Sequence, residues 1–250
     1  MIQSTEHGKV HELRLDRPPA NAFNPALIVE LTDRVRGAPG EGAAAIVISG
    51  APGMFTGGLD VPELLGLGRA EIRAFWQAFY EMLRAVAASE VPVGAAITGH
   101  SPAAGAVLAV FCDRRVMADG PFKIGMNEVQ VGLSVPPTLQ YALKRLTGPR
   151  AGDALLIAGA LISPAEALRV GLVDEVVATE DVVPSVIAWA DGLIALPRAA
   201  MRDTRQVARA DLIAQFDRLD AAGYDAVTER WFSDETQATM RALVARLASR

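Results

Sequence analysis

Three short stretches decide how this chain is read: Ser101-Pro-Ala-Ala-Gly-Ala-Val107, Met54-Phe-Thr-Gly-Gly-Leu-Asp60 and Gly125-Met-Asn-Glu-Val129. The first two are built from small residues, which let a ligand come close to the backbone. The third places one carboxylate, Glu128, in an apolar run that includes Met126, Val129, Val131 and Leu133.

Upstream of Ser101, Val93 to Thr98 has the make-up of a strand covered on both faces. Downstream, Ala103 to Phe111 is small or apolar all round, which predicts a fully buried helix with Pro102 just inside its start. A helix beginning there leaves unpaired N–H groups in its first turn, at the positive end of its dipole. Ala44 to Ser49 is a second buried strand, followed by a loop at Gly50-Ala-Pro-Gly53. Val10 to Asp16 alternates apolar and polar residues and predicts a half-buried strand. Asn24 caps a helix with Pro25 at its first position and Leu27, Ile28 and Leu31 on one face. Ile72, Phe75, Trp76, Phe79, Leu83 and Val86 form one broad helical stripe, expected to be core.

Ser163-Pro-Ala-Glu166 has the layout of a capping box, and Gly171 ends that helix. From Pro184 onward the periodicity is helical, without strands. Alternating strands and helices followed by helices alone predict an α/β fold with an all-helical end. The expected units are a core over 1–187 and a helical region over 188–250. No internal sequence repeat is evident.

Half of the 250 residues are apolar, enough for a sizeable core, and the net charge is −5. No basic stripe stands ready for a nucleic-acid backbone. The single cysteine, Cys112, allows no intramolecular disulfide and points to a reducing compartment. The first residues carry no apolar signal region, and no uncharged apolar stretch is long enough for a membrane span. A cytoplasmic protein without nucleic-acid or membrane partners is expected.

Glu128 in apolar surroundings reads as a base whose charged form is disfavoured, or as a carboxylate facing water from a strand edge. His100 beside Ser101 suggests nucleophilic chemistry, but adjacent side chains diverge and no Gly-x-Ser-x-Gly elbow is present. His7 and His11 show no ligand spacing, so no metal is expected.

Further segments join these in order: Arg17-Pro-Pro-Ala-Asn-Ala-Phe23, Gly99-His-Ser-Pro-Ala-Ala-Gly-Ala106, Cys112-Asp113, Ile124-Gly-Met-Asn-Glu-Val-Gln-Val-Gly132 and Ser163 to Val177. Together with Phe55 to Asp60, this order and spacing resembles the crotonase (enoyl-CoA hydratase/isomerase) family over nearly the whole chain. Within it, the chain is most similar to mitochondrial-type Δ3,Δ2-enoyl-CoA isomerases. The resemblance implies a crotonase-like ββα spiral with a C-terminal helical region, assembled as a homotrimer or dimer of trimers. It implies an acyl-CoA thioester substrate, coenzyme A being part of that substrate and not a separate cofactor.

The same resemblance assigns an oxyanion hole to the N–H groups of Leu59 and Ala104 and the acid/base role to Glu128. It assigns substrate or coenzyme A contacts to Ala20, Ala22, Thr56, Gly57, Gly58, Asp60 and Asn127. The first of the two hydratase glutamates falls on Val107, which favours isomerisation of 3-enoyl-CoA to 2-enoyl-CoA. Hydration, or another reaction of a CoA thioester, is the alternative; a non-catalytic acyl-CoA-binding or scaffold protein is the alternative of another class. Ala103 and Ala104 stand where many relatives have glycines.

Overall fold

The computed structural model describes residues 1–248. Nine strands are present among them: β1 (Ile2–His7), β2 (Val10–Leu15), β3 (Ala45–Ser49), β4 (Gly53–Met54), β5 (Val93–Ile97), β6 (Gly99–Pro102), β7 (Arg114–Ala118), β8 (Ile124–Gly125) and β9 (Glu175–Val177). Six form one sheet in the order β1-β2-β3-β5-β7-β9, parallel except for the β1/β2 hairpin. The other three, β4-β6-β8, form a small parallel sheet.

Successive parts of the chain repeat one path. A strand of the large sheet is followed by a short strand of the small sheet and then by helix. β3 and β4 lead to the helices Val61–Leu64 and Arg69–Ala87. β5 and β6 lead to Ala104–Val110, and β7 and β8 lead to the 3-10 turn Glu128–Val131 and the helical segment Pro137–Ala158. This is the ββα spiral, repeated in structure without a repeat in sequence.

β3 and β5 are buried along their whole length because both sheet faces are covered. Ile46, Ile48, Ala95 and Ile97 join the main core, which also holds the stripe of the Arg69–Ala87 helix. Val47, Ala96 and Val116 point the other way, onto Val182, Val186 and Ala190. Those three belong to the helix Val182–Ile194, which packs across β3, β5 and β7. Gly94 permits the approach, since a Cβ there would lie 2.3 Å from Val186 Cγ1. The division near residue 188 drawn from sequence falls inside this helix. No single helix among the described residues is long and apolar enough to cross a membrane.

The helical end is tied to the core through buried charge. Asp113 pairs with Arg205 at 2.8 Å and with Arg209 at 3.0 Å. Arg209 also donates to the carbonyls of Ala87 and Phe111, the residues where two helices end. Asp113 in turn accepts the N–H of Val93 at 2.8 Å. One carboxylate thus joins β5 to the tail.

Ile2–His7 forms an edge strand, an element without a counterpart in the sequence reading. One sequence expectation is corrected. Pro102 closes strand β6 and does not lie within the helix, which starts at Ala104. The break between them is Ala103, at φ 47° and ψ −120°.

Candidate active site

The β4-loop and β6-turn meet at a cavity of about 590 Å³. Its wall includes Leu59, Ala104, Val107, Asn127 and Glu128.

Leu59 and Ala104 contribute backbone. Around Leu59 the chain is held on both sides, with Phe23 N–H donating to Gly58 O and Asp60 N–H to Phe23 O. Thr56 fixes the loop from below: its hydroxyl donates to Asn21 O at 2.8 Å and accepts the N–H of Gly58 at 3.1 Å. Ala103 spends its own N–H on Gly125 O. The N–H groups of Leu59 and Ala104 have no acceptor among the described residues. Each follows a residue of positive φ, Gly58 at 96° and Ala103 at 47°. A Cβ on Gly58 would lie 3.8 Å from Ala104 N, so the two segments are immediate neighbours. Two unused donors at one cavity wall are able to receive an anionic oxygen together.

Glu128 opens the 3-10 turn Glu128–Val131. The residue is half-buried, and its Oε2 is fully buried without a hydrogen-bond partner. Burial pushes the carboxyl up to about 7, partly opposed by a hydrogen bond from its own backbone. Burial disfavours the charged form. A carboxyl poised near neutrality suits proton transfer in both directions. Glu128 is the only carboxylate in the cavity wall among the described residues. Val107, 1% exposed, presents methyl groups to the same cavity.

The structure thus gathers Gly57, Leu59, Ala104, Asn127 and Glu128 at one cavity. Ala20, Ala22, Thr56, Gly58 and Asp60 stand behind its wall. Ala20 O accepts Gly57 N–H at 2.7 Å, and Ala22 O accepts from Arg17 at 3.0 Å. Asp60 pairs with Arg17 at 2.6 Å and caps the Val61–Leu64 helix. Their observed contacts hold the loop that presents Leu59. Asn127 Oδ1 is buried without a partner and does not bind Glu128.

His100 and Ser101 do not form a dyad. His100 Nδ1 accepts the N–H of Lys123 at 3.2 Å, while Ser101 is fully buried and its Oγ has no partner. Two wall residues, Trp76 and Phe79, come from the helical stripe expected to be core, and Tyr80 of the same helix joins them. They are core and wall at once, because the helix passes beneath the cavity. Met240 and Leu243 of the helix Asp234–Ala248 close another side. Nothing in their local sequence marks them as site residues.

Residues 5–244 match the family described as enoyl-CoA hydratase/isomerase. Human "Enoyl-CoA delta isomerase 1, mitochondrial" is 33% identical over 84% of this chain and 70% of its own length. "Probable enoyl-CoA hydratase EchA17" of Mycobacterium tuberculosis is also 33% identical, over 81% of this chain and 80% of its own. The crystal structure of human mitochondrial delta3-delta2-enoyl-CoA isomerase superposes with a TM-score of 0.95 at 28% identity, covering 99% of this chain and 98% of that one. Family match, spiral fold and relatives together establish that the chain belongs to the enoyl-CoA hydratase/isomerase family.

Proposed function

We propose that this protein isomerises 3-enoyl-CoA to 2-enoyl-CoA, with Glu128 as the single proton carrier. The observation that carries the reading is one carboxylate in the wall, Glu128, with Val107 apolar in the same cavity. The proton alpha to a thioester carbonyl is weakly acidic, and its removal places negative charge on the carbonyl oxygen. The Glu128 carboxylate takes that proton. The N–H groups of Leu59 and Ala104 receive the enolate oxygen, and a donor of this kind is worth about 2.7–4 kcal/mol. The protonated Glu128 then returns the proton at the gamma carbon, which brings the double bond into conjugation. Coenzyme A enters and leaves with the acyl group. A homotrimer is part of the same proposal, and sedimentation equilibrium tests it.

Hydration asks for more. Water must be activated and a proton delivered to carbon, work that two carboxylates share more readily than one. The test is parallel incubation with 3-hexenoyl-CoA and 2-hexenoyl-CoA, products being resolved by mass and by the absorbance of the conjugated thioester. Isomerisation without a change of mass supports the reading. Addition of water at an equal or greater rate replaces it with hydratase. Binding of both thioesters without turnover replaces it with a non-catalytic role.

A further inference from the structure

Tyr80 is a wall residue of the cavity and is only 3% exposed. Its ring is fixed edge-to-face against Phe79 at 6.1 Å and against Tyr224 at 5.9 Å. Its hydroxyl exchanges no hydrogen bond with any described residue. A tyrosine O–H normally has a partner; this one is not sealed within the protein, and its residue lines the cavity. Glu128 does not supply that partner, since no hydrogen bond joins them and Glu128 Oε2 is itself unpartnered. Burial first, then the nearby Tyr224 and Glu128, raises the phenol well above its ordinary range. The group therefore remains a neutral donor throughout the working pH range. A plain methylene chain in this cavity would leave the hydroxyl unsatisfied, whereas an oxygen on the chain would pair with it.

We infer that Tyr80 is a specificity-determining residue that recognises a hydroxyl or oxo oxygen on the acyl group. The inference rests on the acyl-CoA reading of this cavity. Non-reacting saturated thioesters test it without relying on turnover. Hexanoyl-CoA is compared by calorimetry with hydroxyhexanoyl-CoA isomers carrying the hydroxyl on each of the last three carbons. The wild-type protein is expected to bind at least one isomer about 5- to 10-fold more tightly than hexanoyl-CoA, the range of one neutral hydrogen bond. Tyr80→Phe should abolish that preference and bind hexanoyl-CoA at least as tightly as the wild type. Equal wild-type affinity for every thioester would overturn the inference while leaving the acyl-CoA reading intact. A preference that survives in a folded Tyr80→Phe protein would also overturn it. Failure of the wild type to bind any of the thioesters would remove the acyl-CoA reading, and this inference with it.

Discussion

Gly58 and Ala103 pack back to back: a Cβ built on Gly58 would stand 3.2 Å from the Cβ of Ala103. Each has a positive φ, and each hands its following N–H to the cavity. The spacing of the two donors is set at this contact, by the absence of a side chain on one partner and a strained alanine on the other.

Gly58→Ala adds a methyl against Ala103 at a backbone angle that L residues rarely adopt. It should cost about 1–3 kcal/mol of stability and lower turnover through displacement of Leu59 N–H. Ala103→Gly removes strain of about 1–3 kcal/mol but adds freedom to the unfolded chain worth about 0.4–1 kcal/mol. A modest rise in stability is expected. Chemical denaturation with side-by-side kinetics checks both; a stability loss in Ala103→Gly would show that the turn is not strained.

Glu128→Gln keeps the shape and removes the base. Turnover should fall by about 10²- to 10⁴-fold, while affinity for a saturated acyl-CoA stays within about threefold of wild type, because the missing proton transfer is not a ground-state contact. Steady-state rates and calorimetric titration measure the two quantities separately. Near-normal turnover would transfer the base role to another residue.

The pH dependence follows from the carboxyl that burial holds near 7. As the base must be ionised, kcat/KM should rise as pH increases through about 7 and then level. Stability should move the other way. The folded protein keeps this proton over a range in which the unfolded chain has released it, so stability falls as pH rises from about 4.5 through about 7. The full effect is up to about 3 kcal/mol. Denaturation curves across this range, compared with Glu128→Gln, isolate the contribution; identical slopes would place the carboxyl in water.

Val107→Glu would put a second carboxylate at the cavity. It should raise the ratio of hydration to isomerisation, measured by product mass, at a stability cost from burying the group. An unchanged ratio in a folded variant would mean that the missing carboxylate is not what suppresses hydration.

Asp113→Ala should destabilise the protein by about 3–5 kcal/mol, since it leaves the buried Arg209 and the partly buried Arg205 without their carboxylate. Thermal unfolding measures this directly. A change below about 1 kcal/mol would mean that the tail is held by apolar packing alone.

Much was legible along the chain because local periodicity and burial coincide. The run Ala44 to Ser49 became β3 (Ala45–Ser49), the run Val93 to Thr98 became β5 (Val93–Ile97), and the aromatic stripe became the helix Arg69–Ala87. Asn24 caps its helix by accepting Leu27 N–H at 2.9 Å, as its side chain and the following proline dictate. Residue chemistry also singled out Glu128, because a lone carboxylate in an apolar run is visible without coordinates. Other features were decided only by the tertiary structure. Strands β4 and β8, two residues each, are too short to carry any periodicity and exist because neighbours supply their hydrogen bonds. The members of the stripe that become cavity wall, Trp76 and Phe79, cannot be told from core by spacing, since both are aromatic and buried. The closing of the cavity by Met240 and Leu243 joins residues more than a hundred positions from Glu128. Local sequence specifies which residues leave water; which of them then face one another across an empty space depends on how the spiral winds.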